Sequence, residues 1–169
     1  MLWKTPHDIK KVFDLWKYDF ENYDLIILSW WKVNAECKVF DDVKNQIRNN
    51  LDKKIIWTCL GYQIIWLAHD TSSEYVKLHT MENELRGIYN DVLYSKISKP
   101  IKVHRGHKRI VKVHKDWLFD VLWHSVHWHD IIKHVSAPHI WFAFHPHIYI
   151  DETDWEYIFQ EALRIIDNI

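Results

Sequence analysis

The sequence predicts an α/β fold built on an open, mixed β-sheet, and three observations indicate it. Short apolar runs alternate with amphipathic segments in the first half, alternating runs dominate the second half, and an amphipathic segment closes the chain. Strands that alternate with helices favour a parallel sheet covered by helices, while consecutive short strands add antiparallel pairs. A chain of 169 residues is long enough to bury most of a core, so we expect a single domain over residues 1–169.

In the first half, each predicted element has a local signal. Thr5 followed by Pro6 is typical of a helix start, and Asn22 ends that helix. A buried strand follows at 25–28, and an amphipathic helix spans roughly residues 36–50. The next apolar strand runs to Thr58, and the apolar segment 60–69 after it predicts a helix packed on most sides.

The second half is predicted to be rich in antiparallel strands. Alternating or apolar runs at 75–79, 101–105, 109–114, 121–126, 130–135 and 140–144 indicate strands, and a turn is expected at 136–138. The acidic run 151–154 then precedes a last helix, because carboxylates favour the positive end of the helix dipole.

Charge and cysteine content exclude several classes of function. Twenty-two Lys and Arg against twenty-three Asp and Glu leave no overall field that would attract nucleic acid or an anionic membrane. Two cysteines make no disulfide framework and suit a reducing compartment. No signal peptide and no apolar run long enough for a bilayer are found, so a cytoplasmic protein is expected.

The segment around Cys59 is the strongest candidate for chemistry. An apolar strand, a tight turn and an apolar helix would hold the thiol at a helix N-terminus, where backbone N–H groups and the helix dipole favour a thiolate. Gly61 is one of only three glycines, which suggests a close approach that a Cβ would obstruct. The alternative for a lone cysteine is an inert, buried thiol at an ordinary turn.

Four motifs in order resemble those of class I glutamine amidotransferases. T-C-L-G-Y-Q at 58–63 is similar to the family's G-x-C-x-G-[HQ]-Q, and F-A-F-H-P-H at 142–147 is similar to G-x-Q-F-H-P-E. D-L-I-I-L-S at 24–29 resembles D-x-I-I-L-S-G-G-P, and R-G-H-K-R-I-V at 105–111 resembles a strand of the anthranilate synthase type. The resemblance covers most of the chain, includes the glutaminase of GMP synthase, and implies a flavodoxin-like fold.

The resemblance also implies roles for individual residues. Cys59 would be the nucleophile that attacks the glutamine side-chain amide, and His145 the base that later protonates the departing ammonia. The N–H of Leu60 would donate one hydrogen bond to the oxyanion, and the loop after Ser29 would supply the other. Gln63 would line the glutamine pocket. The chemistry needs no cofactor.

At chemically sensitive positions the sequence departs from the family. Trp30, Trp31 and Lys32 replace Gly-Gly-Pro, Trp57 replaces the first glycine of the elbow, and His147 replaces the glutamate that orients the catalytic histidine. Loss of an orienting carboxylate can reduce the rate by several powers of ten. Bulky Trp30 and Trp31 would also crowd the pocket. We therefore expect weak or absent glutaminase activity, with His147 as a poor substitute for the glutamate.

Members of the family usually begin with a further strand and helix, so the sequence suggests an N-terminus that lacks the first strand. They also commonly deliver ammonia to a synthase, which implies a protein partner besides glutamine. An alternative function is a non-catalytic binding or structural module that uses exposed aromatic side chains.

The thirteen histidines allow a second alternative, a metal-binding protein. His124, His127 and His129, with His145 and His147, are the candidate ligands, because imidazole is a common ligand of zinc. Histidines scattered over the whole chain weaken this signal, and neither H-E-x-x-H nor paired C-x-x-C is present. No metal is therefore assigned.

Overall fold

The structure, a computed structural model, describes residues 20–30, 38–69, 74–77, 89–96, 98–105, 109–112, 118–125, 129–144 and 152–169. The strands in these parts of the chain are β1 (Ile26–Trp30), β2 (Ile55–Cys59), β3 (Glu74–Lys77), β4 (Tyr89–Leu93), β5 (Ile101–Arg105), β6 (Arg109–Lys112), β7 (Phe119–His124), β8 (His129–His134) and β9 (His139–Phe142). The helices are α1 (Asp41–Asn49), α2 (Leu60–His69) and α3 (Trp155–Ile166), with short 3₁₀ turns at Phe20–Asn22 and Lys38–Phe40.

Five strands form the central sheet in the order β1-β2-β9-β8-β7. The first three are parallel, whereas β8 runs antiparallel to both β9 and β7. Two antiparallel pairs, β3 with β6 and β4 with β5, complete the strands that the structure describes. The chain is therefore an open mixed sheet flanked by helices, which confirms the predicted α/β, flavodoxin-like class.

Each face of the sheet buries its own apolar cluster. Trp57 and Trp141 pack with α1 and α2 on one face, and Ile56 and Phe142 pack with α3 on the other. Ile56 and Trp57 are neighbours on β2 but belong to different clusters, because successive side chains of a strand point to opposite faces. This alternation explains why strands buried on both faces are nearly continuous apolar runs in the sequence.

Most predicted elements are confirmed within a few residues. The helix predicted from about residue 36 has its α-helical part at Asp41–Asn49, after a 3₁₀ turn, and the strand predicted at 140–144 ends at Phe142. Strand β4 was not predicted. Of the helix predicted from Thr5 to Asn22, the structure describes Phe20–Asn22, which form a 3₁₀ turn, and the rest lies outside the described residues.

In the parts of the chain that the structure describes, every helix is too short or too polar to cross a membrane.

Candidate active site

Cys59 lies at a sharp junction between a strand and a helix. It is the last residue of β2, and α2 begins at the next residue, Leu60. Its φ of 53° places it in the left-handed region, and among the described residues it is the one non-glycine with positive φ. That conformation is costly for a residue with a Cβ and clusters at functional sites. The predicted elbow is therefore present, and Cys59 is a partly buried thiol rather than part of a disulfide.

Gly61 allows α2 to approach β2 closely. A Cβ at this position would stand 2.8 Å from Cε3 and 3.2 Å from Cβ of Trp57. The Trp57 side chain is fully buried in the cluster under α1 and α2. The indole at the family's first glycine position thus fills the core beneath the elbow, and the second glycine provides the room for it.

Three parallel strand ends meet beside Cys59. Trp30, the last residue of β1, is the in-register partner of Cys59, and Ser29 is the partner of Thr58. On the other side, Phe142 of β9 pairs with Thr58, so Ala143 comes next along β9. The carboxyl ends of parallel strands are the usual location of ligand sites in open α/β sheets. Cys59, the predicted nucleophile, and the ends of β1 and β9 therefore lie at one edge of the sheet.

The first turn of α2 provides the polar groups of the elbow. Leu60 is its first residue, and the first N–H groups of a helix have no acceptor within that helix. Gln63, one turn after Cys59, is buried, with 6% of its surface exposed. Backbone donors and a buried amide near the thiol are compatible with the predicted oxyanion and pocket roles of these two residues.

A hydrogen bond also connects α2 to β8. The Tyr62 hydroxyl donates a hydrogen bond of 2.5 Å to the carbonyl oxygen of His129. The next residue, Asp130, is completely buried, and its Oδ2 accepts a hydrogen bond of 2.7 Å from the backbone N–H of Ser125. The Asp130 carbonyl accepts another from the N–H of Ala143, at 2.8 Å. Sequence reasoning missed Asp130, whose only signal is an acidic residue at the start of an apolar strand.

Several predicted site residues lie outside the described residues, namely Trp31, Lys32, His145 and His147. The side chains of Trp30 and Leu60 are likewise not described. The last described residues before His145 are Ala143 and Phe144, both buried. The roles of His145, His147 and Trp31 therefore remain predictions.

The described parts of the chain contain no site that supports the metal-binding hypothesis. No group of three or more His, Cys, Asp or Glu side chains there is arranged to hold a metal ion. Of the predicted ligands, His124 and His129 are cross-strand partners on β7 and β8, and both are exposed. His127 lies outside the described residues.

Three other histidines lie close together at the end of the parallel strands that is opposite to Cys59. His134 lies between His69 and His139, with ring centroids 5.2 Å and 6.3 Å away. Burial lowers the pKa of His69 and of His139 to about 4 in each case, and burial also lowers that of His134. Burial thus favours the neutral form of all three rings. They lie at the C-terminal ends of α2 and β8 and at the N-terminal end of β9, whereas the elbow lies at the N-terminal end of α2.

No protein-family model matches the sequence, and no curated protein does. Solved structures do match. A protein assigned as a GMP synthase subunit from Thermoplasma acidophilum aligns with a TM-score of 0.68 at 18% identity, over 88% of this chain and 75% of that chain. A glutamine amidotransferase from Thermotoga maritima gives 0.59 at 13% identity, over 89% and 75%. A glutamine amidotransferase from Methylobacillus flagellatus gives 0.62 at 12% identity, over 79% and 55%.

These likenesses concern the backbone, because identities below 20% leave side-chain chemistry undetermined. The alignments cover most of this chain, 79–89% of its length, so the likeness extends over the whole fold rather than one segment. The chain has the fold of the class I glutamine amidotransferases.

Proposed function

We propose that this chain is a class I glutamine amidotransferase-like domain with a weak or silent glutaminase site at Cys59. The observation that carries the proposal is the left-handed backbone of Cys59 between β2 and α2, at the carboxyl edge of three parallel strands. A thiol that only packs in the core would not need this costly backbone conformation, and no function would follow from it. A nucleophile does need it, because the elbow turns its sulfur away from the strand and towards a substrate.

In the proposed reaction, the Cys59 thiolate attacks the side-chain carbonyl carbon of glutamine, and the oxygen takes the negative charge. The N–H of Leu60 stabilises that oxyanion. His145 gives a proton to the amide nitrogen, ammonia departs, and a thioester remains on Cys59. Water then hydrolyses the thioester to glutamate, with His145 taking the proton of the water. The balance is glutamine and water to glutamate and ammonia.

Two departures from the family limit this chemistry. His147 stands where the family has its orienting glutamate, and a neutral imidazole orients a neighbouring histidine less well than a carboxylate. Trp30 and Trp31 stand where glycines let the backbone turn towards the oxyanion. Since Trp30 is the strand partner of Cys59, this change falls directly beside the nucleophile.

The proposal includes a protein partner that would use the ammonia. The similar protein from Thermoplasma acidophilum is assigned as part of a synthase. We infer a comparable arrangement here, in a reducing, intracellular compartment that keeps Cys59 as a thiol.

Ammonia release from glutamine by the purified protein tests the activity, with Cys59→Ala as the control. We expect turnover that is weak and lost in Cys59→Ala, and we expect that His147→Glu does not restore full turnover, because the two tryptophans remain. Robust Cys59-dependent turnover in the unmodified protein would show that the departures matter little. No Cys59-dependent turnover with any variant would favour a non-catalytic binding module.

A further inference from the structure

We propose that His134 is a proton-operated latch of the turn between β8 and β9, closed while its imidazole is neutral and opened when the ring takes up a proton. This role is independent of the glutaminase chemistry and concerns the end of the parallel strands that is opposite to Cys59. It rests on two backbone hydrogen bonds to one ring nitrogen, on the burial of that ring, and on the bonds that join the turn to β2.

The Nδ1 atom of His134 is the acceptor that closes the turn. Residues 135–138 connect β8 to β9, and the backbone N–H groups of Ser136 and Ala137 both donate to His134 Nδ1, at 3.2 Å and 3.1 Å. The Ser136 hydroxyl lies 3.4 Å from the same nitrogen. A neutral imidazole has one N–H and one bare nitrogen, so the two donors on Nδ1 require the ring proton to be on Nε2.

Histidine is an unusual acceptor for a turn of this kind. Side chains that accept the N–H groups two and three residues later are usually those of Asp, Asn, Ser or Thr, and these accept throughout the range from about pH 5 to 8. An imidazole accepts at this nitrogen only while it is neutral, and its unperturbed pKa of about 6.5 lies inside that range. The histidine therefore makes closure of the turn depend on pH.

Protonation of Nδ1 converts the acceptor into a donor. The N–H groups of Ser136 and Ala137 would then face a third N–H, so both hydrogen bonds are lost at once. Because His134 is 4% exposed and Ala137 1%, water has little access to the ring or to Ala137 in the closed turn. The closed turn thus excludes the proton, in agreement with the lowering of the His134 pKa by burial, and the protonated ring favours the open turn.

The surroundings of His134 also favour a neutral ring. His69 of α2 and His139 of β9 are its titratable neighbours, with ring centroids 5.2 Å and 6.3 Å away, and Phe119 of β7 is an apolar one. Lys133, the preceding residue of β8, further lowers the pKa of His134. The other charged groups that act on this cluster, directly or through Lys133, are Arg48 on α1, Asp52 after α1 and Asp120 on β7.

The tautomer of His134 distinguishes a proton-sensitive cluster from a metal site. A ring nitrogen that carries a proton has no lone pair for a metal ion. Since Nδ1 of His134 already accepts from two N–H groups and Nε2 carries the proton, neither nitrogen is available as a ligand. The proton is therefore the ligand to which this ring can respond.

The turn also joins β8 to the start of β2. The Pro138 carbonyl accepts a hydrogen bond of 3.0 Å from the Ile55 N–H, and Nε2–H of His139 donates to the Asn50 carbonyl at 3.2 Å. These bonds come directly after the two that close the latch. Opening of the latch therefore frees the chain up to Pro138 and loosens the connection between β8 and the first residue of β2.

Amide hydrogen exchange with solvent, followed by NMR, measures the opening of this turn at each pH. Protection is calculated against the intrinsic exchange rate at the same pH. If the open turn protonates near pH 6.5 and the closed turn does not, protection of the Ser136 and Ala137 amides falls about thirtyfold between pH 7.5 and 5. The Val135 amide is the control in the same sample, because it donates to the Leu118 carbonyl, at 3.0 Å.

Two substitutions of His134 separate the role of Nδ1 from that of the rest of the ring. The side-chain oxygen of Asn can take a position similar to that of Nδ1 and does not titrate, so His134→Asn should keep both amides protected at every pH. The oxygen of Gln lies further out, near the position of Nε2, so His134→Gln should lose this protection at every pH. If His134→Gln does not fold, His134→Asn decides alone.

Three outcomes overturn the proposal. One is wild-type protection of Ser136 and Ala137 that does not change with pH. Another is a fall in His134→Asn equal to that of the wild type, which would assign the pH dependence to His69 or His139. The third is an equal fall at Val135, which would show that the strand pair opens as a whole and not at the turn.

Discussion

The indole of Trp57 occupies the space in which a side chain at Gly61 would begin. A Cβ on Gly61 would meet Trp57 Cε3 at 2.8 Å, well inside van der Waals contact. Because the indole is rigid and fully buried, it cannot move aside cheaply. These two residues therefore set the distance between α2 and β2, and with it the geometry of the elbow.

Gly61→Ala should destabilise the protein by about 1–3 kcal/mol. In an unobstructed helix the same change would stabilise by about 1 kcal/mol, so the sign alone is informative. Urea denaturation measures the difference. In a Trp57→Leu background the cost should largely disappear, and equal costs in both backgrounds would show that the indole is not the obstacle.

The left-handed backbone of Cys59 gives a second prediction. Glycine adopts this conformation without the Cβ penalty, which is about 1–2 kcal/mol for other residues. Cys59→Gly should therefore be more stable than Cys59→Ala by about 1 kcal/mol in thermal unfolding. Greater stability of the alanine variant would mean that the elbow relaxes once the sulfur is removed.

Local sequence signals predicted the elbow but not its surroundings. The apolar run ending at Thr58, followed by Gly61 and an apolar helix, is contiguous in sequence, so its strand, turn and helix follow from short-range rules. Strand β4 was not predicted because Asn90 and Asp91 are poor strand formers. The segment is a strand because it pairs with β5. Long-range pairing of this kind leaves little trace in a local window.

Asp130 and the histidine cluster were missed for different reasons. The N–H of Ser125 donates to Asp130, five residues later, beside an irregular strand pair, and no alternation of apolar residues marks such an irregularity. His69 and His139 both approach His134 only because the C-terminal end of α2 packs near the N-terminal end of β9. Trp57, expected as a disturbance of the site, instead fills the core, because β2 directs it beneath α2.

The buried histidines predict a loss of stability in acid. In the folded chain the pKa of His139 is about 4, since burial outweighs the hydrogen bond to the Asn50 carbonyl, and His69 behaves similarly. The unfolded chain protonates these rings near pH 6.5, so unfolding takes up protons between about pH 6.5 and 4. Their contribution to stability is therefore complete above that interval and falls as the pH drops through it.

Urea denaturation at several pH values tests the cluster. His139→Gln should remove up to about 1.4 kcal/mol per pH unit from the slope of unfolding free energy between pH 6.5 and 4. His124→Gln is the control, because His124 is exposed on β7. An unchanged slope in His139→Gln would mean that His139 is protonated in the folded protein. Arg48, Lys133 and Asp52 also act on these rings, so the comparison is made at constant ionic strength.

The elbow also predicts that Cys59 is chemically distinct even if glutamine is not turned over. Its sulfur follows a strand and precedes α2, whose N-terminus favours a thiolate, and the proposed base His145 would add to that effect. The other cysteine, Cys37, falls in the helix predicted over roughly residues 36–50, where the sequence predicts neither feature, so it is the internal control.

Iodoacetamide near neutral pH should therefore modify Cys59 several-fold faster than Cys37, and His145→Ala should slow the reaction at Cys59 only. Peptide mapping by mass spectrometry measures both cysteines in one sample. A glutamine-mimicking electrophile should label Cys59 poorly by comparison, because Trp30 and Trp31 replace the glycines that open the family pocket. Equal rates at the two cysteines would contradict the activating elbow. Fast labelling by the glutamine mimic would instead show an open pocket, since that reagent reaches the sulfur only through the substrate site.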